Sequence, residues 1–307
     1  MSAHFPTVSL HHLDALWFQV AGTLCNLRCN HCFISCSPEN QTLPMMSLAQ
    51  VEDHVRKAVE LGVKEFYFTG GEPFLHPQIE QMLSAALAVG PVTVLTNATR
   101  FTPERVAALA RLRDASPYSL ELRTSLDGFS SETNDPIRGW GSFQRILHGI
   151  RLLLEGGFLP IITAMRSWPV DQDEAQLAGF RNLLAAMGYR YPRMKLLPSL
   201  KLGQEVRRDR GYAEHEYLTE SMMAGFDPGH LMCSSGRIVS ARGVHVCPIL
   251  VDWPDSYLGA SLHEGQAQYT LRHQACLTCY QFGALCANAS SSAPSLEQTR
   301  RHGRDPS

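Results

Sequence analysis

Three cysteines near the N-terminus have a spacing that suits a metal centre. Cys25, Cys29 and Cys32 form a C-x-x-x-C-x-x-C sequence. Three soft thiolates on one tight loop suit an iron-sulfur cluster or zinc. Because three cysteines leave a cubane cluster one protein ligand short, one iron stays open to a substrate or cofactor. A structural zinc site would need a fourth ligand; His31 is nearby, but such sites usually take a second cysteine pair further along the chain.

A glycine-rich segment follows the triad one predicted strand and helix later. Thr69 is followed by Gly70, Gly71, Glu72 and Pro73. Paired glycines let the backbone approach a ligand closely and leave N–H groups free. The carboxylate of Glu72 can pair with an ammonium group. We therefore expect this segment to hold a ligand that carries an ammonium.

A second group of cysteines lies about two hundred residues after the first. Cys276 and Cys279 form a C-x-x-C knuckle, and the segment from Cys233 to Cys247 is typical of a β-hairpin. Such a hairpin brings its terminal cysteines together. The four thiolates predict either a fully ligated 4Fe-4S cluster or a zinc site, and Cys286 could replace one of them.

Two residues close to the triad are not expected to be ligands of its metal centre. A fourth thiolate from Cys36 would close the open iron, so we expect Cys36 to be a buried or loop thiol. His31 directly precedes the third cysteine. We expect it to pack against the cofactor or the cluster.

Composition excludes several classes of protein. The 307 residues are 44% hydrophobic and 18% charged, a composition typical of globular proteins. The formal net charge of -2 gives no electrostatic reason to expect binding to nucleic acid. A run of about 18 apolar residues, which would predict a membrane helix, does not occur, and neither does a signal peptide. We expect a cytoplasmic protein with no membrane partner. In that reducing compartment the nine cysteines are not expected to form disulfides.

The segment between the two cysteine groups predicts an α/β fold with a mainly parallel sheet, because short β-branched or aromatic runs alternate with helical patterns. Ser47 and Gln50 form a capping box at the first helix. The triad follows the first strand, at the carboxyl edge of the sheet, where such folds place their chemistry. The six strand candidates are Asp14–Ala21, Glu65–Thr69, Pro91–Thr96, Ser119–Ser125, Phe158–Ala164 and Arg193–Pro198.

Taken in order, these motifs resemble the radical S-adenosylmethionine (SAM) superfamily. Two further segments add to the resemblance: Asn97 ends the third strand, and Ser125 begins an S-L-D-G sequence that is followed by Arg138 in D-P-I-R-G. The S-L-D-G and D-P-I-R-G sequences are similar to the corresponding segment in the subgroup that has C-terminal SPASM or Twitch domains. The resemblance covers roughly residues 14–290 and implies a partial (βα)6 TIM-like barrel with a small C-terminal cysteine-rich auxiliary-cluster domain.

The resemblance also implies domain limits and site residues. The expected units are the barrel over 1–200, a linker over 201–230, a Twitch/SPASM-like domain over 231–288 and, from its small polar composition, a disordered tail over 289–307. The expected cofactor-binding residues are Gly70, Gly71, Glu72, Pro73, Asn97, Ser125 and Arg138. The expected metal ligands are Cys25, Cys29, Cys32, Cys233, Cys247, Cys276, Cys279 and Cys286. The alternative for Arg138 is a surface arginine at a helix entry.

In this family an open iron chelates SAM, the reduced cluster cleaves the sulfonium C–S bond, and a 5'-deoxyadenosyl radical abstracts hydrogen from the substrate. The resemblance therefore implies an oxidoreductase that uses a SAM-binding 4Fe-4S cluster and SAM. An auxiliary 4Fe-4S cluster would accept the substrate's electron or relay electrons, and a flavodoxin or ferredoxin-type protein would be the donor. The rival hypothesis is a catalytically silent zinc-binding scaffold of the same fold.

Two classes of substrate remain open at this point. Relatives modify ribosomally made peptides, forming crosslinks, epimers or formylglycine, while others oxidise small molecules. Only about thirteen residues precede the first strand candidate, which leaves no room for a separate leader-peptide-binding domain. This favours a small molecule, or a peptide held by a partner protein.

Overall fold

A nine-stranded sheet forms the centre of the computed structural model, which describes residues 5–283, 285–286 and 288. The expected disordered tail, residues 289–307, lies outside these described residues. The order in the large sheet is β10-β9-β8-β2-β3-β4-β5-β6-β7, and β1 pairs with β11 in a small separate sheet. The strands are β1 Thr7–Val8, β2 Ala15–Gln19, β3 Glu65–Thr69, β4 Val92–Thr96, β5 Leu120–Ser125, β6 Ile161–Met165, β7 Arg193–Leu197, β8 Gly236–Ser240, β9 Gly243–His245, β10 Tyr257–Gly259 and β11 Tyr269–Thr270.

Strands β2 to β7 are parallel to their neighbours, and each coincides with one of the six strand candidates to within a few residues. This confirms the α/β fold with a parallel sheet. The helices that connect and follow these strands are α1 Leu48–Glu60, α2 Ile79–Leu87, α3 Pro103–Ala115, α4 Ser131–Arg138, α5 Ser142–Glu155, α6 Asp173–Ala186, α7 Glu205–Arg208 and α8 Ala275–Phe282. The expected capping box is present at α1, where Ser47 and Gln50 exchange side-chain and backbone hydrogen bonds.

The two faces of the sheet have different roles. Phe18, Phe68 and Val94 belong to the main hydrophobic core, which also contains buried residues of the helices, such as Val55 of α1 and Met82 of α2. Because successive side chains of a strand point to opposite faces, the residues between them face the other way. That second face lines a cavity and includes Trp17, Gln19, Thr69, Leu95, Arg123, Ser125, Thr163, Met165 and Leu197.

The C-terminal segment continues the central sheet. Strand β8 pairs in parallel with β2, with Trp17 opposite Ile238, and β9 and β10 extend the sheet beyond it. The expected hairpin between Cys233 and Cys247 is therefore present as β8 and β9. Its pairing with β2 was not part of the sequence prediction, which treated residues 231–288 as a separate unit.

The polar stretch after β7 is held by an ion pair and a side-chain hydrogen bond. Lys201 Nζ lies 2.8 Å from Glu216 Oε1, and the buried Glu205 accepts from Ser199 Oγ at 2.6 Å. Charged groups thus fix a segment in which the sequence shows no clear strand.

Over the described residues, every helix is too short or too polar to span a membrane.

Candidate active site

The cysteine triad lies on the loop that follows β2. Cys25, Cys29 and Cys32 all line the cavity at the carboxyl ends of the parallel strands, and Cys36 lines it as well. Backbone N–H groups of the loop point at the sulfurs: Leu27 N lies 3.4 Å from Cys25 Sγ, and Cys36 N lies 3.2 Å from Cys32 Sγ. Such N–H···S contacts are typical of thiolates that bind iron-sulfur clusters.

Burial controls the protonation of the triad. It raises the pKa of Cys25 and of Cys29 to about 12. Hydrogen bonding from Cys36 lowers the pKa of Cys32 to about 6. Cys36 is itself buried, as the sequence predicted. Because metals bind the thiolate form, loading this site must release protons from the two thiols whose pKa is raised.

The two glycines of the G-G-E-P segment allow a close approach between two backbone turns. A Cβ on Gly71 would lie 2.0 Å from Leu24 O, and a Cβ on Gly70, whose φ is +144°, would lie 2.8 Å from Ala21 N. The glycines therefore let this turn pack against the triad loop. The N–H of Gly71 donates to Gly22 O at 3.0 Å, so the expectation that the N–H groups stay free is wrong for Gly71.

Glu72 connects two of the segments that surround the cavity. Its side chain is completely buried (0% exposed), and its carboxylate accepts three hydrogen bonds. The donors are Thr96 Oγ1 at 2.7 Å, Asn97 N at 2.7 Å and Phe74 N at 3.1 Å. The carboxylate thus connects the turn after β3 to the end of β4, while its contact with an ammonium group stays a prediction. Pro73 is likewise buried at the start of a short 3-10 helix.

Asn97 joins the end of β4 to the triad loop. Its Nδ2 lies 3.0 Å from Asn26 Oδ1 and 3.7 Å from Cys25 Sγ. Its backbone N–H binds Glu72, so one residue contacts both the glycine turn and the cysteine loop.

Asp127 is the charged centre of the opposite wall. Its Oδ2 lies 2.6 Å from Arg138 Nε and 2.7 Å from His31 Nε2, and its Oδ1 accepts from Met165 N at 2.7 Å. Burial acts to raise the pKa of Asp127, but the charges of Arg138 and His31 hold it well below its usual range. Arg138 is 7% exposed, so the alternative of a surface arginine is wrong.

The cavity brings together most of the expected cofactor-binding residues. Gly70, Gly71, Asn97, Ser125 and Arg138 line it with the triad. Glu72 and Pro73 are buried and are not among the described residues that line the cavity. Sequence reasoning did not single out Arg123; the signal that could have found it is a charged residue two positions before Ser125, on the same face of the strand.

The five C-terminal cysteines line a second cavity. Cys233, Cys247, Cys276, Cys279 and Cys286 all contribute to it, together with apolar residues of the C-terminal core. Burial raises the pKa of Cys233 to about 11 and that of Cys276 to about 12. Five thiols around one apolar cavity fit a cluster with cysteine ligands.

Cys286 lines both cavities. Its carbonyl accepts a hydrogen bond from Arg123 Nη1 at 2.6 Å. Among the described residues, no three Cys, His, Asp or Glu side chains converge as ligands of one metal ion. A cubane does not require such convergence, because each cysteine binds a different iron.

Comparison with known proteins gives a family and a fold. A family model described as the radical SAM superfamily matches residues 20–174, which is just over half of the 307-residue chain. The mycofactocin maturase MftC of Mycobacterium tuberculosis is 28% identical over 255 residues, which cover 74% of this chain and 62% of that protein. The chain thus spans less than two thirds of this relative. MftC of Mycolicibacterium smegmatis is 29% identical, covering 92% of this chain and 79% of the relative.

The solved structures agree on the fold. Native anSMEcpe with bound AdoMet has a TM-score of 0.63 at 15% identity and covers 94% of this chain and 95% of that one. Streptococcus suis SuiB bound to S-adenosylmethionine has a TM-score of 0.60 at 16% identity, covering 79% and 62% respectively. The chain therefore belongs to the radical SAM superfamily, whose members bind a 4Fe-4S cluster and S-adenosylmethionine.

Proposed function

We propose that this protein is a radical SAM oxidoreductase that reductively cleaves SAM and abstracts hydrogen from a substrate. The observation that carries the proposal is the single cavity that the triad shares with Gly70, Gly71, Ser125 and Arg138. A cluster held by Cys25, Cys29 and Cys32 would keep one iron open to this cavity. When bound, the cluster and SAM supply the electron and the 5'-deoxyadenosyl radical.

The chain's own residues would orient SAM and exclude water. An ammonium is a hydrogen-bond donor and needs acceptors, so the carbonyl groups of Gly70 and Gly71 are the proposed partners of the SAM amino group. Ser125 and Arg138 offer donors for the ribose and the carboxylate. Glu72 holds the turn in place from behind through its three hydrogen bonds.

The second cavity is the proposed site of an auxiliary 4Fe-4S cluster. Cys233, Cys247, Cys276 and Cys279 are its proposed ligands, and Cys286 is the alternative for one of them. Four protein ligands would close the cluster, so its role would be electron transfer. Because Cys286 lies between the two cavities, the auxiliary centre would adjoin the place where a substrate radical forms. A flavodoxin or ferredoxin-type protein is the proposed external donor.

A peptide is the proposed substrate. The curated relatives with the widest coverage are named maturases, and one similar structure is SuiB bound to the precursor peptide SuiA. An apolar wall formed by Leu200, Pro248 and Ile249 at the junction with the C-terminal segment offers contact to peptide side chains. Peptide modification therefore becomes the first candidate reaction, ahead of small-molecule oxidation.

The central test is SAM cleavage. Anaerobically reconstituted protein with dithionite and SAM should release 5'-deoxyadenosine, and Cys29→Ala should lower this rate at least about a hundredfold, because the cluster loses one of three ligands. Cys36→Ser, a change of a thiol outside the proposed ligand set, should keep the iron of the first centre. Release of 5'-deoxyadenosine by Cys29→Ala at the wild-type rate would contradict the proposal.

The iron and zinc content of the protein tests which metal the second centre binds. With two cubane clusters, iron should be about eight per chain, and Cys276→Ala should lower it toward about four while the triad keeps its cluster. Zinc in the anaerobically purified protein, with no loss of iron in Cys276→Ala, would favour the zinc scaffold instead.

A further inference from the structure

We propose that Arg123 and Thr163 form an anion-binding subsite on the floor of the active-site cavity, which receives a carboxylate of the substrate. That the bound molecule is a substrate rests on the proposed function. The subsite itself rests on two neighbouring strands and on the polar groups that they bury.

The position of Arg123 places it deeper than the SAM-binding edge. It lies on β5 two residues before Ser125, so it faces the same side of the sheet, about 7 Å further from the carboxyl end of the strand. Its side chain lines the same cavity as the triad, although the residue is only 2% exposed. Thr163 lies on β6 opposite Ser125 and lines this cavity as well.

Arg123 has hydrogen-bonding capacity to spare. Its Nη1 donates to Cys286 O at 2.6 Å, but within the described residues its Nε is buried and has no partner. The hydroxyl of Thr163 is also buried without a partner there. Leaving buried donors without partners is unfavourable, so a ligand that accepts hydrogen bonds from these groups gains affinity.

The surrounding charges favour an anion. Lys195 is buried on β7 opposite Thr163, and burial together with the Arg123 charge lowers the pKa of Lys195 to about 8. The carboxylate of Asp127 on the cavity wall is already bound by Arg138 and His31. The guanidinium of Arg123 and the hydroxyl of Thr163 together offer two donors, which suits the two oxygens of a carboxylate.

The test uses matched probes on the reconstituted holoenzyme with SAM present throughout, so that the carboxylate of SAM occupies its own site. The probes are N-acetylphenylalanine, its neutral amide and phenyl phosphate, titrated by ligand-observed NMR. The acid should bind at least about tenfold more tightly than the amide, which corresponds to about 1.4 kcal/mol. Tighter binding of phenyl phosphate than of the acid would overturn the assignment to a carboxylate.

Substitutions distinguish anion binding by Arg123 from its hydrogen bond to the backbone carbonyl of Cys286. Arg123→Met should reduce the acid's affinity to that of the amide with iron content unchanged, and Arg123→Lys should restore part of the preference. Arg193→Met, which removes a half-exposed arginine paired with Glu121, should leave the preference as in the wild type. Equal binding of acid and amide by the wild type, or an unchanged preference in Arg123→Met with loss of auxiliary iron, would overturn the subsite. These readouts do not depend on SAM cleavage, so failure of the proposed reaction remains distinguishable.

Discussion

At the scale of single residues, Asp127 organises one wall of the active site. Its carboxylate meets His31 from the triad loop, Arg138 at the end of α4 and the backbone of Met165 at the end of β6. Three segments distant in sequence are therefore positioned by one buried group. These charges compensate one another inside the protein. Removal of one partner therefore leaves the others buried without a counter-charge.

Asp127→Asn should destabilise the protein strongly. The change leaves Arg138 buried without its counter-charge, which should lower the free energy of unfolding by about 3 to 5 kcal/mol. The measurement is an anaerobic denaturant titration. Glu121→Gln is the matched control, because it breaks a partly exposed ion pair with Arg193 and should cost at most about 1 kcal/mol. Equal losses in the two variants would argue against a special role for Asp127.

At the scale of elements, the turn after β3 and the loop after β2 form one interlocked unit. Gly71 N donates to Gly22 O and Glu72 N donates to Leu24 O, each at 3.0 Å. Glu72 then attaches the same turn to the end of β4. The position of the triad thus depends on the fit between two turns as well as on the cysteine spacing.

Gly71→Ala should disturb the first metal centre without touching a ligand. Its Cβ would lie 2.0 Å from Leu24 O, so one of the two backbones must shift. We expect a stability loss of about 1 to 3 kcal/mol, as for other overpacked sites, and iron at the first centre reduced by more than about half. Iron analysis and thermal unfolding measure the two effects. Gly211→Ala is the control, because its nearest neighbour would be Val206 Cγ1 at 3.6 Å; a similar loss there would refute the steric explanation.

At the scale of the whole molecule, the C-terminal segment is part of the central sheet. Strand β8 extends the parallel order at β2, and the fully buried Arg237 of β8 holds the loops around it. Its guanidinium donates to the carbonyl groups of Cys233, Gly236, Gly265 and Ala267. Cys233 and Cys247, which flank the β8–β9 hairpin, are therefore positioned relative to the triad loop by sheet pairing.

Strands β2 and β8 should open together. In hydrogen exchange followed by mass spectrometry, peptides that contain these strands should show protection free energies within about 1 kcal/mol of each other, as expected of one cooperative unit. Arg237→Met should lower the protection of both by about 1 to 3 kcal/mol, because buried carbonyls lose their donor. Arg242→Met, at the tip of the same hairpin, should have little effect. Early opening of β8 with β2 unchanged would show that the two segments are independent.

The sequence by itself determined the features that depend on short-range patterns. The cysteine spacing, the capping box at Ser47, the six parallel strands and the hairpin after Cys233 follow from residue type and local periodicity, because turn chemistry and apolar alternation act over a few residues. These features are enough to suggest the family. They also place the triad at the carboxyl edge of the sheet.

Only the tertiary structure decided which groups face one another. The pairing of Trp17 with Ile238 joins residues more than two hundred positions apart, and no local pattern specifies such a register. The direction of the Glu72 carboxylate and the burial of Arg123 depend likewise on neighbours from other strands. Side-chain partners in a closed core are set by packing and by the need to satisfy buried polar groups, and both arise only once the distant segments meet.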